Sequence, residues 1–333
     1  MPLIIIFYIL KYGFNNIKRR YIQMNKANNT KIVFLNIIAF ITVTIWATTF
    51  ISSKILLNSL SPFESMFYRF LIAYFVLLII YPKFHKISSL KEELIFLICG
   101  ITGGSLYFLG ENTAVKISLA SNVSLILSTA PVLTALLAHY FTKNEKLTKD
   151  LVIGFIIAIT GVFLVIFNGN FILKLNPLGD ILALGSSLCW AIYSICIKYF
   201  GNKYNTIYLT RKIFFYALLT MIPLLFTSQF NFNLSTLMQR DVIINLLFLS
   251  VVASSICYVA WNYTVDKLGV IKTNNYLYFL PVITLILSYF VLGEKLTPYS
   301  FIGAVLILLG VYVSEKGFSF QIIQKHTNDN LPI

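Results

Sequence analysis

Residues 111–148, ENTAVKISLASNVSLILSTAPVLTALLAHYFTKNEKLT, and residues 261–297, WNYTVDKLGVIKTNNYLYFLPVITLILSYFVLGEKLT, carry the same punctuation. Asn112 is followed by Pro131 after 131 − 112 = 19 residues, and Asn262 by Pro281 after 281 − 262 = 19. Both stretches end in Glu-Lys-Leu-Thr, at Glu145–Thr148 and Glu294–Thr297. Self-similarity at long range fixes an architecture before any local reading does.

The likeness extends outward. Gly154 and Gly161 lie 9 and 16 residues after Glu145, and Gly303 and Gly310 lie 9 and 16 after Glu294. Upstream, Trp46 precedes Lys54 by 8 residues, and Trp190 precedes Lys198 by 8. Arg69 opens RFLIAYFVLL and Arg211 opens RKIFFYALL. The chain therefore reads as two copies of one unit, 31–167 and 178–315.

Of the 333 residues, 58% are hydrophobic and 11% charged, where soluble domains carry about 25% charged residues. The composition is that of an integral membrane protein. Its net charge of +14 bears on orientation in the bilayer, not on nucleic acid. Cys99, Cys189, Cys196 and Cys257 sit in apolar runs without metal spacing and read as small packing residues.

Ten apolar segments follow, near 33–56, 63–82, 93–114, 119–141, 149–167, 178–200, 207–227, 242–264, 271–292 and 297–315. Each approaches the roughly 20 residues that a spanning helix needs, and lipid permits helix but no open sheet edge. Thr148 and Thr297 read as N-caps, with Pro298 at the first helical position. Pro131 and Pro281 fall mid-segment and predict kinks or local unwinding there. With the N-terminus inside, Lys and Arg of tails and short loops divide 18 inside to 5 outside, which places both termini in the cytoplasm. Five spans per unit is an odd number, so the two copies must be inverted relative to each other. The fold expected is all-α and integral to the membrane, ten transmembrane helices as two inverted five-helix repeats. Residues 1–30 read as a cytoplasmic tail or a mis-called start, since Met24 opens a plausible alternative, and 316–333 as a second cytoplasmic tail.

No catalytic constellation is present: the acids are scattered, Glu92 and Glu93 sit at a loop edge, and there is no HExxH or Walker loop. No metal or cofactor is expected, and transport without a nucleotide-binding motif is driven by a gradient. Polar residues inside the spans are the stronger lead. Gly100, Gly104, Tyr107 and Glu111 fall on one face of segment three, and Ser255, Tyr258 and Asn262 on one face of segment eight. Trp46 and Trp190 hold matching places in segments one and six, with Tyr193 a turn beyond. Together with Ser105 and Asn112, these residues are the candidate lining of a substrate cavity, against a competing reading in which they only pack helices. An acid within a span marks an ion or substrate path, so Glu111 is the candidate for proton coupling, unless Lys116 neutralises it at the helix end. Arg69 and Arg211 are expected to snorkel to the headgroups. The Gly154/Gly161 and Gly303/Gly310 faces serve packing or a homodimer.

These marks together resemble the drug/metabolite transporter superfamily, in its EamA-type branch of two five-helix units. The resemblance rests on Trp46…Lys54, Trp190…Lys198, Arg69, the Pro131…Glu145-Lys-Leu and Pro281…Glu294-Lys-Leu endings, and the paired glycines after them. It covers about 31–315 and implies a carrier in the cytoplasmic membrane that moves amino acids, other metabolites or drugs, often outward. The expected function is therefore secondary-active efflux or exchange of small polar metabolites by alternating access, with a small-molecule substrate and the lipid bilayer as partners and no nucleic acid. An importer, or a flippase for lipids or lipid-linked sugars, is the alternative; a membrane enzyme lacks its acid or histidine cluster.

The topology is directly testable. Single cysteines placed in 168–178 should label from outside and in 83–91 from inside; labelling of both loops from one side would sink the inverted-repeat reading.

Overall fold

The computed structural model describes residues 30–118, 120–142, 147–167, 176–227, 230, 232–292 and 298–316. Outside the described residues lie the N-terminal segment with Met24, Lys143 to Lys146, the Glu294–Thr297 ending, the tail after 316 and most of the loop between the units. The described residues hold helices and no strand.

In chain order the helices are α1 (Thr30–Leu56), α2 (Pro62–Ile80), α3 (Leu90–Ile117), α4 (Ala120–Leu127), α5 (Ala130–Phe141) and α6 (Lys149–Phe167). The second half holds α7 (Pro177–Phe200), α8 (Thr206–Thr227), the single turn α9 (Leu234–Leu237) and α10 (Arg240–Leu268). It ends with α11 (Val270–Asn274), α12 (Leu280–Leu292) and α13 (Pro298–Lys316). Six described helices, α1, α2, α3, α7, α8 and α10, are long and apolar enough to cross a membrane. Ile79, Phe226, Phe290 and Phe301 are exposed on the outer faces, as befits a molecule whose surrounding solvent is hydrocarbon. The chain is a multi-pass membrane protein.

Helix starts follow their capping chemistry. Ser61 and Glu64 form a reciprocal capping box, with Ser61 N donating to Glu64 Oε2 at 2.8 Å and Glu64 N to Ser61 Oγ at 3.1 Å. Asn176 Oδ1 accepts from Gly179 N at 3.2 Å, and Thr148 Oγ1 from Leu151 N at 3.2 Å, the cap the sequence predicts. Helix ends are closed by lysines that recur in the two units. Lys54 Nζ donates to Val115 O at 2.6 Å and Ser118 O at 3.2 Å, at the end of α3. Lys198 Nζ donates to Val265 O at 3.3 Å and Asp266 O at 3.1 Å, at the end of α10. Lys54 reaches carbonyls that the end of α3 leaves open, and Lys198 adds a donor at Val265 O, which also accepts from Gly269 N at 3.1 Å.

Of the kink or local unwinding expected in segments four and nine, the structure shows the unwinding, placed just before each proline. The first breaks at Ser128–Thr129, between α4 and α5, and the second passes through a 3-10 stretch, Asn275–Phe279, between α11 and α12. Pro131 and Pro281 stand in the first turn of the helix that restarts, where a missing N–H costs nothing. Segments three and eight are each continuous but carry a π-helical stretch, Ile101–Ser105 and Phe248–Ile256.

Helices from the two halves pair antiparallel. Along α3 and α7, Phe96 stacks on Phe200 at 4.1 Å between centroids, Gly103 lies under the Tyr193 ring, and Ser186 Oγ donates to Tyr107 O at 3.0 Å. The tyrosine ring occupies the space that a Cβ at 103 would fill. α6 and α13 cross at their glycines: a Cβ on Gly154 would come within 2.6 Å of Gly310 O, and one on Gly161 within 2.6 Å of Gly303 O. The glycine faces are thus occupied inside the chain, as packing between its halves.

A helical Gly→Ala change ordinarily adds about 0.5–1 kcal/mol of stability. Gly310→Ala would instead force its methyl against Ala158 N at 2.5 Å and should cost about 1–3 kcal/mol through overpacking. Gly185→Ala, which meets nothing within 4 Å, should leave the thermal midpoint of the purified protein unchanged or raised. Equal midpoints for the two variants would contradict this packing.

Candidate functional site

A cavity lies where the halves meet. Trp46, Thr49 and Phe50 of α1 form one wall, and Tyr107, Phe108 and Glu111 of α3 a second. Leu127 and Ala130 flank the α4–α5 break; Leu277 lies in the 3-10 stretch between α11 and α12 and Leu280 opens α12; Trp190 and Tyr258 complete the lining. Phe108 and Tyr258, Leu127 and Leu277, and Ala130 and Leu280 are each 150 residues apart, the same offset as Asn112 and Asn262. Both units contribute matching positions to one site.

The aromatic side chains are fixed by their polar edges. Trp46 Nε1 donates to Ala253 O at 2.9 Å, and Tyr258 Oη donates to Gly103 O at 2.9 Å. These two carbonyls belong to the two π-helical stretches and are again 150 residues apart. A π stretch departs from the regular i→i−4 ladder, and an aromatic from the other half meets one of its carbonyls. Trp190 Nε1 donates to Asn274 Oδ1 at 3.1 Å, while Asn274 Nδ2 is held by Val270 O at 2.9 Å. The rings then interlock. Trp46 meets Trp190 edge to face at 5.2 Å, Trp261 at 5.0 Å and Tyr258 at 5.7 Å, and Tyr107 lies 5.4 Å from Trp190.

Glu111 is 5% exposed and borders this cavity, with Tyr107 one turn back on the same face. The opposite charge acting on it is Arg69. Lys116, the partner considered from sequence, is exposed at the helix end. Arg69 also corrects the snorkelling expectation. It is 3% exposed, donates from Nε to Ser254 Oγ at 2.6 Å, and lays its guanidinium over the Phe108 ring at 4.2 Å. Arg211 is 2% exposed and donates from Nη1 to Tyr81 O and from Nη2 to Lys83 O at 2.8 Å, closing the end of α2. Both guanidiniums find internal partners, so neither needs to reach the lipid headgroups.

Five of the candidates stand behind the lining. Tyr193 Oη donates to Asn262 Oδ1 at 2.7 Å, and Asn262 Nδ2 donates to Thr210 Oγ1 at 3.0 Å, tying α7, α10 and α8 together. Ser105 bonds Thr220 at 2.8 Å, Asn112 Nδ2 donates to Pro62 O at 3.2 Å, and Ser255 Oγ donates to Ser250 O at 3.0 Å. Trp46, Tyr107, Glu111, Trp190 and Tyr258 border the cavity itself. Sequence reasoning passed over Thr49, Phe50 and Phe108, which are one helical turn or less from chosen residues. It also left Glu92 and Glu93 without a role. Glu92 pairs with Lys203 and accepts from Tyr204 Oη at 2.7 Å. Glu93 pairs with Lys212 at 2.5 Å and accepts from Tyr216 Oη at 2.5 Å. These contacts lash the start of α3 to the start of α8 and the turn before it.

The EamA-like transporter family model matches this sequence twice, over residues 33–167 and 177–315. An uncharacterized transporter of Archaeoglobus fulgidus is 29% identical over 82% of this chain and 94% of its own length. The transporter YyaM of Bacillus subtilis is 32% identical over 79% of this chain and 87% of its own. A probable amino-acid metabolite efflux pump of Escherichia coli is 23% identical over 86% of this chain and 96% of its own. One solved crystal structure shares the fold with a TM-score of 0.64 at 18% identity, over 85% of this chain and 96% of that one. With both halves matched and one cavity between them, the chain belongs to the EamA-like transporter family.

Proposed function

We propose that the chain is a secondary-active carrier that exports or exchanges small polar, amino-acid-like metabolites across the cytoplasmic membrane by alternating access, as ten spans in two inverted five-helix units with both termini in the cytoplasm. The observation that carries this reading is the cavity itself: repeat-matched positions from both units surround one space holding a single carboxylate, Glu111. Inverted units with a site between them are a recurrent carrier design. The antiparallel glycine crossing of α6 and α13, and the lysine caps at the ends of α3 and α10, support the inversion. The E. coli relative named as a probable amino-acid metabolite efflux pump supports the substrate range and direction.

In this mechanism the unit boundaries move and the helix breaks flex. The Glu92–Lys203 and Glu93–Lys212 pairs lie at the end assigned to the cytoplasm and separate when the cavity opens inward. The restarts at Pro131 and Pro281 let α5 and α12 pivot beside the lining residues Ala130 and Leu280. Glu111 exchanges a proton or the substrate between the two openings.

Reconstitution tests this directly. Wild-type protein in proteoliposomes should accumulate substrate from a metabolite panel under an imposed proton gradient. Glu111→Gln keeps the shape but cannot titrate, and should lose accumulation about tenfold or more while keeping some exchange. Pro131→Ala and Pro281→Ala should stay folded and slow both modes. Normal accumulation by Glu111→Gln over a range of pH would remove Glu111 from coupling, and unchanged rates in both proline variants would leave them a packing role.

A further inference from the structure

The cavity's side chains differ in what they still have to offer. Five of them carry a donor, and four of those donors are spent on the protein. Trp46 Nε1 is taken by Ala253 O, Thr49 Oγ1 by Trp46 O at 2.6 Å, and Trp190 Nε1 by Asn274 Oδ1. Tyr258 Oη is taken by Gly103 O, and the fifth donor is the Tyr107 hydroxyl, one turn from Glu111. Arg69 is held behind Phe108 and bonded to Ser254, and it does not border the space. What remains at the cavity is the Glu111 carboxylate, the Tyr107 hydroxyl one turn from it, and the faces and edges of six aromatic rings. An aromatic face carries negative charge density and attracts a cation within about 6 Å of its centre. An anionic group would meet a carboxylate and π faces, with one tyrosine hydroxyl as the unspent lining donor.

We propose that the cavity selects an organic monocation, a protonated amine or quaternary ammonium on an apolar body. Its charged nitrogen sits between Glu111 and the Trp46, Trp190 and Tyr258 rings, and its body lies against Leu127 and Leu277. A free carboxylate on the ligand is disfavoured, which separates this ligand class from zwitterionic amino acids. The inference rests on the reading of this cavity as the carrier's binding site and narrows its substrate.

The chain offers its own probe. It has three tryptophans, and Trp46 and Trp190 line the cavity while Trp261 packs against both, at 5.0 and 6.0 Å. Their intrinsic emission, read on the full chain in lipid nanodiscs and checked by equilibrium dialysis with radiolabel, can be titrated with three matched compounds. Phenethylamine carries the ammonium alone, phenylalanine adds a carboxylate, and 3-phenylpropionate carries the carboxylate alone. Saturable binding of phenethylamine is expected, with the other two weaker by about tenfold or more, the factor equivalent to one charge-assisted hydrogen bond. Glu111→Gln should weaken the amine by a similar factor, and Glu111→Asp should retain most of it. Thr49→Lys, a second variant that does not depend on the folding of Glu111→Gln, should abolish amine binding and admit 3-phenylpropionate. Equal or tighter binding of either carboxylate compound, no amine binding, or unchanged amine affinity in Glu111→Gln would overturn the proposal. Flux of a carboxylate-bearing metabolite without amine binding would leave the carrier standing and remove only the cation; amine binding without flux of any compound would support the cation and remove the carrier.

Discussion

Hydrocarbon offers a backbone carbonyl no hydrogen bond, and each one left open there costs several kcal/mol. Every irregular stretch of this chain therefore has to be closed from within. The π-helical turns of α3 and α10 are met at Gly103 and Ala253 by Tyr258 and Trp46 of the opposite half. The ends of α3, α10 and α2 are met by Lys54, Lys198 and Arg211. The breaks beside Leu127 and Leu277 face the cavity, where irregular backbone is tolerated. Trp46 and Tyr258, which close the two π-helical turns, also line the site, and so cavity and fold cannot be varied independently.

The two units supply one scaffold, and the chemistry lies in their differences. Glu111 and Trp261 occupy the same place, 150 residues apart: one half presents a carboxylate where the other presents an indole. Arg69 turns inward beneath Phe108, while Arg211 closes the end of α2. Matched positions such as Leu127 and Leu277 give the cavity walls related by the repeat, a geometry suited to exposing one site alternately to two sides. The unmatched pair gives the cavity lining its one carboxylate.

Much of this was legible in the sequence, for a physical reason. Membrane insertion needs long apolar runs, duplication leaves fixed offsets, and helical spacing puts Tyr107 and Glu111 on one face. What the sequence could not show was which distant group meets a polar side chain. Arg69 looked fit to snorkel because its partners, Ser254 and Phe108, lie on other helices, one of them 185 residues away. Asn262 and Tyr193 were sound choices for polarity, yet they satisfy each other behind the wall. The prolines were read as kinks or local unwinding; the chain unwinds, and a new helix starts just before each of them. The Glu92 and Glu93 ties depend on Lys203 and Lys212, more than a hundred residues on, and no local pattern announces them.

The central claim is that the space between Trp46, Glu111, Trp190 and Tyr258 is the transport path. Thr49 lies on its wall, one turn from Trp46. A Thr49→Cys variant, with the four native cysteines replaced, can be reconstituted and treated with a membrane-impermeant methanethiosulfonate reagent. The account predicts that modification stops flux, that transported substrate slows the modification, and that reduction restores transport. Full modification of Thr49→Cys with flux undiminished would contradict it.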